Sequence, residues 1–228
     1  MVTSWGTWAM SWSRKLLGAV SVAAVACLAG GCAVSGNGDV ESIYEVAKNL
    51  WNRGERVSLE QAASVPYAST GVRLGHSPET ILLLATDERG LQLWTSAARI
   101  AITTRDGRIV RTAGFEHNLT GYESRNPPPE AGGVRSVRWQ ADFQDLGLYS
   151  IPISCRDVTV GDETIAILGK DIRTRRVDES CRSESAQLDW SFENTFWLDP
   201  ASELVWRSIQ HVHPRLDPIE MEILRPPS

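Results

Sequence analysis

From Tyr67 onward the chain is a succession of short apolar or β-branched runs, each closed off by turn residues. Ile81–Thr86, Leu91–Thr95 and Ile100–Thr104 are separated by stretches such as Asp87-Glu88-Arg89-Gly90, which is the spacing of strands and not of helices. Asp106-Gly107 lies between Ile100–Thr104 and Arg108–Thr112. A type I′ hairpin turn needs positive φ at both central positions, and this dipeptide tolerates it. Gly161-Asp162 predicts a second hairpin, joining Asp157–Val160 to Thr164–Leu168. Further strands are expected at Val134–Phe143, Ile172–Asp178, Gln187–Leu198, Leu204–His213 and Ile219–Leu224. About ten strands at hairpin spacing make the chain mainly β, an antiparallel meander. A closed barrel, a half-open barrel and a sandwich all satisfy this pattern. Gly121–Gly133, with Pro127-Pro128-Pro129, interrupts it and is expected to be an extended exposed loop, because prolines supply no ladder donors.

One or two short helices precede the strands. Asp39 is placed to cap a helix whose Ile43, Val46, Ala47, Leu50 and Trp51 form one stripe, ended by Gly54. A second starts at Ser58, with Gln61 completing a capping box, and stops before Pro66.

The first 31 residues read as an address. Arg14 and Lys15 are followed by fourteen uncharged residues, Leu16–Ala29, the arrangement of a secretory signal peptide. As a helix this run reaches only about 21 Å, short of the ~30 Å hydrocarbon core of a bilayer. Leu28-Ala29-Gly30-Gly31-Cys32 resembles a bacterial lipobox, with Ala29 where the usual Leu stands. Cys32 is therefore expected to become the acylated N-terminus, bound to outer-membrane lipid, since Ala33 and not Asp follows it. Several acyl chains hold a protein far more firmly than one. Residues 32–38 then form a short tether, and 39–228 a single β-rich domain.

Removal of the leader leaves 21 basic against 28 acidic side chains, a balance of −7. Phosphate binding needs a concentrated basic surface, so nucleic acid is not an expected partner. Beyond the lipobox two cysteines remain, Cys155 and Cys181. In an exported protein such a pair reads as one disulfide, contributing roughly 3–4 kcal/mol through chain entropy. The rival reading, zinc, wants four ligands, and neither cysteine has a CxxC neighbour.

Catalytic signatures do not emerge. Gly-x-Ser-x-Gly, Walker A, Gly-x-Gly-x-x-Gly and His-Glu-x-x-His do not occur. His211 and His213 have metal-site spacing, but Pro214 follows and no third ligand has recognisable spacing, while His76 and His117 stand isolated; neither metal nor cofactor is expected. Asp189 and Glu193 share a strand face with Trp197, without the cleft that a glycosidase pair requires. Trp190, Phe192 and Phe196 fall on the opposite face, towards the core, leaving Trp197 as the aromatic side chain expected to meet solvent and contact a glycan or a partner.

Several stretches, taken in order, resemble the YjbF/GfcB family of bacterial lipoproteins from capsule and exopolysaccharide loci. They are Pro66-Tyr67-Ala68-Ser69, Leu93-Trp94-Thr95-Ser96, Arg105–Phe115 with Asn118-Leu119, Trp190–Pro200 and Val205–Gln210. The resemblance spans about residue 40 to the end. It implies an outer-membrane-tethered, periplasm-facing β protein that assists polysaccharide export, with no catalytic site to carry over. An outer-membrane export protein is the implied partner, ahead of the polysaccharide itself, because the acidic balance suits an acidic polymer poorly. A polysaccharide-modifying enzyme and a lipid-carrying half-barrel are the alternatives; the first requires a polar cleft with perturbed acids, the second an apolar cavity.

Overall fold

The computed structural model describes residues 55–125 and 136–227. The leader, Cys32, the tether, the helix expected over 39–54 and the triple proline lie outside the described residues. The helix expected from Ser58 is α1, Leu59–Ala63, and its capping box is complete: the Ser58 hydroxyl accepts from the Gln61 amide and the Gln61 side chain accepts from the Ser58 amide.

Twelve strands follow: β1 Ser69–Leu74, β2 Thr80–Glu88, β3 Leu91–Thr95, β4 Ala101–Arg105, β5 Arg108–Ala113, β6 Gly121–Arg125, β7 Ser136–Phe143, β8 Leu148–Ile167, β9 Lys170–Ser183, β10 Ser191–Leu198, β11 Val205–Gln210 and β12 Ile219–Arg225. They form one antiparallel sheet in the order β5-β4-β3-β2-β1-β12-β11-β10-β9-β8-β7-β6. The meander is thus cut only where the last strand returns to the first. The two sheet edges, β5 and β6, are consecutive in the chain and nearly meet. Across the seam the Thr112 amide donates to the Leu119 carbonyl at 2.9 Å, and the Leu119 amide to the Thr112 hydroxyl at 2.9 Å. The result is a nearly closed barrel, which decides among the three architectures left open by the sequence.

Alternation sets the inside. On β7, Val137, Trp139, Ala141 and Phe143 are buried, and on β10 Phe192, Asn194 and Phe196. Of these, Val137, Trp139, Ala141, Phe143 and Phe192 pack with Leu82, Trp94, Ile102, Ile151, Ile153 and Ile219 into the main core.

Two expectations are corrected. Gly121–Arg125 is not loop but β6, paired with β7 from Gly121↔Asp142 to Arg125↔Arg138; the glycine and polar residues disguise an edge strand whose ladder carries it. Gly161-Asp162 is not a hairpin turn. β8 runs through it for twenty residues, with a register shift between Thr159 and Gly161, so the glycine marks a bulge. The chain reverses instead at Leu168-Gly169, where φ is 49° and 73°. Beyond the bulge the β8–β9 hairpin is an arm that lies across the outer surface of β10–β12: Ile165 and Ile167 pack on Trp197, with Trp206, Ile209 and Leu224 around them. Arg207 Nη2 donates to the Ala166 carbonyl at 2.8 Å and ties the arm down.

Candidate functional site

The barrel has two unlike ends. One carries the β1–β2, β3–β4, β5–β6, β7–β8, β9–β10 and β11–β12 connections, and it is shut. Three of these connections converge there on one carboxylate. Asp145, in the 3₁₀ turn Gln144–Leu146, holds His117 Nδ1 at 2.7 Å with one oxygen and His213 Nε2 at 3.1 Å with the other. The two imidazoles stack in parallel, centroids 5.0 Å apart. Phe143 meets His213 edge-on and Trp190 meets Phe143 likewise. Far apart in sequence, His117 and His213 are neighbours in space, and His211, the residue spaced to pair with His213, is not part of the group.

These three side chains are the described residues best disposed to hold a metal, but their hydrogen bonds favour a bridge over an open tripod. The Arg215 amide donates to His213 Nδ1 at 3.1 Å, which places the imidazole proton on Nε2, pointing at Asp145. A metal-bound histidine normally donates through its second nitrogen, and here that nitrogen accepts. Burial pushes the His213 pKa down, outweighing the attraction of Asp145, so the ring is neutral. Burial pushes Asp145 up, yet the hydrogen bond from His117 and the contacts from His213 hold it below the usual carboxylate range.

At the other end, between the β2–β3, β4–β5 and β10–β11 turns, the barrel opens into two lobes of about 460 and 440 Å³. Asp106, Leu198, Glu203 and Val205 line both and form the wall between them. The wall exists because the β4–β5 turn leans inward onto β11. Gln210 anchors it, accepting from the Ile109 amide and donating to the Gly107 carbonyl, both at 2.9 Å. Asp106 and Gly107 have φ of 51° and 76°, as the expected type I′ turn requires.

The first lobe is walled by a polar ladder. Gln92 Nε2 donates to Asp87 at 2.9 Å, and Trp94 Nε1 donates to the Thr104 hydroxyl at 3.1 Å. The second lobe holds Arg105, Arg108 and Arg175. Arg108 reaches through it to Glu179, which is fully buried, in a bidentate pair with one arm at 2.9 Å. Asn194 Nδ2 also donates to Glu179, at 2.7 Å, and its oxygen accepts the His211 amide at 2.8 Å. Burial alone would raise the Glu179 pKa, but the Arg108 charge and these donors bring it below the ordinary value. The same carboxylate raises Arg108 against its own desolvation. Glu179 is therefore an ion-paired anion and not a carboxylic acid.

Cys155 and Cys181 are bonded, S–S 2.04 Å, on directly paired positions of β8 and β9. Trp197 does point away from Phe192 and Phe196, but it is 8% exposed. The expectation of a solvent-facing ring is corrected: the β8–β9 arm covers it, and Arg176 and Arg207 stand 5.7 and 5.9 Å from its centroid. The interior also bears on the lipid-carrying alternative, because the shut half is filled by Trp139, Phe143, Phe192 and their neighbours and the open half sets Asp87, Gln92 and Glu203 beside Leu204, Met221 and Ile223.

The model of a family described as "Group 4 capsule polysaccharide lipoprotein gfcB, YjbF" matches residues 33–224. The chain belongs to the YjbF/GfcB family. Two Escherichia coli K12 relatives of this YjbF/GfcB protein are the "Uncharacterized lipoprotein GfcB", 25% identical over 181 residues (77% of this chain, 84% of the relative), and the "Uncharacterized lipoprotein YjbF", 22% identical over 176 residues (70% and 79%). The crystal structure of the hypothetical lipoprotein YmcC from the same strain superposes with a TM-score of 0.60, at 24% identity, over 82% of this chain and 95% of that one; it shares the fold. In this YjbF/GfcB protein the Asp-Gly turn was legible because a local rule governs it. The two-lobed mouth was not, because its wall depends on Gln210, more than a hundred residues away in sequence from the turn that it docks.

Proposed function

We propose that this protein is a non-enzymatic lipoprotein, anchored through acylated Cys32 to the periplasmic face of the outer membrane, that assists capsule or exopolysaccharide assembly and export. Membership of a capsule polysaccharide lipoprotein family over residues 33–224 carries the reading. The open end of the barrel is where an export partner or the glycan makes contact. The chemistry of the interior agrees with a contact role. Its buried carboxylate Glu179 is neutralised by Arg108, whereas a hydrolase needs an acid poised to give up its proton.

Deletion of the gene, followed by measurement of secreted polysaccharide, tests this. Secretion is expected to fall and to return on complementation with the wild-type gene. Unchanged secretion in the deletion strain overturns the proposal.

A further inference from the structure

We propose that the two-lobed mouth binds the end of a neutral, hydroxyl-rich glycan chain. This rests on the polysaccharide role above and names the class of polymer that the site takes. Each lobe falls in the size range of small-molecule sites, and their shared wall makes them adjoining subsites.

The polar part of the lining matches hydroxyls, with Leu204, Val205, Met221 and Ile223 supplying apolar surface beside it. Asp87 accepts from Gln92 and retains further lone pairs, and Thr104 lies within reach of Gln92 Oε1 at 3.4 Å. Ser202, Ser208 and Glu203 add donors and acceptors on the facing side. These groups already bond one another or their neighbours, and an alkyl chain would offer nothing to the lone pairs that remain. A polyol satisfies them.

Charge then selects among polyols. Among the described residues Arg105, Arg108 and Arg175 line the second lobe, while Asp87, Asp106 and Glu203 line the first. Arg108 is already neutralised by Glu179, and Arg175 lies 3.3 Å from Glu203. The first lobe has carboxylates and no cation among its described residues. A chain of uronic acids would meet net repulsion, which a neutral chain escapes. Stacking contributes little, because Arg108 lies over Phe196 at 5.1 Å and Tyr122 rests on Trp139 at 4.9 Å. The grip is polar, and its strength should be nearly independent of salt.

The test uses the full-length acylated protein in detergent micelles. The probes are a partial hydrolysate of the producing strain's own extracellular polysaccharide, split by anion exchange into neutral and acidic fractions, with saturation-transfer NMR and calorimetry as readouts. The neutral fraction is expected to bind, with an affinity that changes less than twofold between 50 and 500 mM salt. Gln92→Trp, which fills the first lobe from a strand position, and Asp87→Asn are each expected to weaken binding at least tenfold without lowering the melting temperature. Binding of the acidic fraction alone, or of neither fraction, overturns the inference. Should secretion fall in the deletion strain while neither fraction binds, the export role stands and this inference does not. Should the neutral fraction bind while secretion is unchanged, the export role is the one that fails.

Discussion

At position 107 a β-carbon would have nowhere to go: it would sit 2.4 Å from Val205 Cγ2, on a backbone with φ of +76°. Gly107→Ala therefore meets two independent penalties, about 1–2 kcal/mol for the left-handed backbone and about 1–3 kcal/mol for overpacking. A loss of about 2–5 kcal/mol is expected in urea unfolding. Gly107→Ala combined with Val205→Ala should recover the packing share alone; full recovery or none would show that the close approach is not the cause. At the shut end, His213 makes a prediction in pH. Its folded pKa is lowered by burial, so the unfolded chain takes up a proton first. Stability is then fully present above the unfolded value of about 6.5 and declines as pH falls below it. Asp145, also lowered, extends the decline below about pH 4 by the same linkage. The urea midpoint should drop between pH 7 and pH 5.5, and drop less in His213→Gln. Equal slopes in the two proteins would remove His213 from the account.

The β8–β9 arm shows how an element escapes sequence reasoning. Its pattern of valines, threonines and isoleucines around Gly161 reads as two short strands and a turn, since glycine serves turns and bulges alike. What separates the two is the partner strand: β9 continues past Gly161, pairing Asp162 with Arg175 and Ile167 with Lys170. The same long-range choice buried Trp197. Alternation placed the ring on the outer face correctly, but no local signal says that an arm will fold over that face. By contrast the α1 cap, the Asp-Gly turn and the Cys155–Cys181 bond rest on short-range rules or simple pairing, and they were legible. Because Ile165 and Ile167 meet Trp197, Trp197→Ala should cost about 3 kcal/mol. Its distinctive mark is local. Amide exchange over residues 162–173 should accelerate more than in β7, whose strand packs in the main core. Uniform acceleration throughout the barrel would mean that the arm is not held by this contact.

At the scale of the whole molecule, the described chain enters the barrel from its outer wall beside the shut end. The Glu79 amide, in the β1–β2 connection, donates to the Glu55 carbonyl at 3.1 Å, and Arg56 bonds Glu220 at 2.6 Å. Arg207 also pairs with Glu222, part of the same charged patch on β11 and β12. Burial raises the Glu222 pKa against the Arg207 charge, so this patch is a desolvated ionic seam and not a loose surface pair. The first described residues are thereby clamped beside the shut end. Cys32→Ala separates anchoring from folding, because the two cysteines of the described barrel, Cys155 and Cys181, are bonded to each other. The variant should leave the membrane fraction, keep the melting temperature of the wild-type barrel, and restore less secretion to the deletion strain than wild type does. Retention in the membrane fraction after a high-pH wash would show that something other than acylated Cys32 holds the protein there. Release with full secretion would instead confine the anchor to localisation and leave the open barrel as the working part.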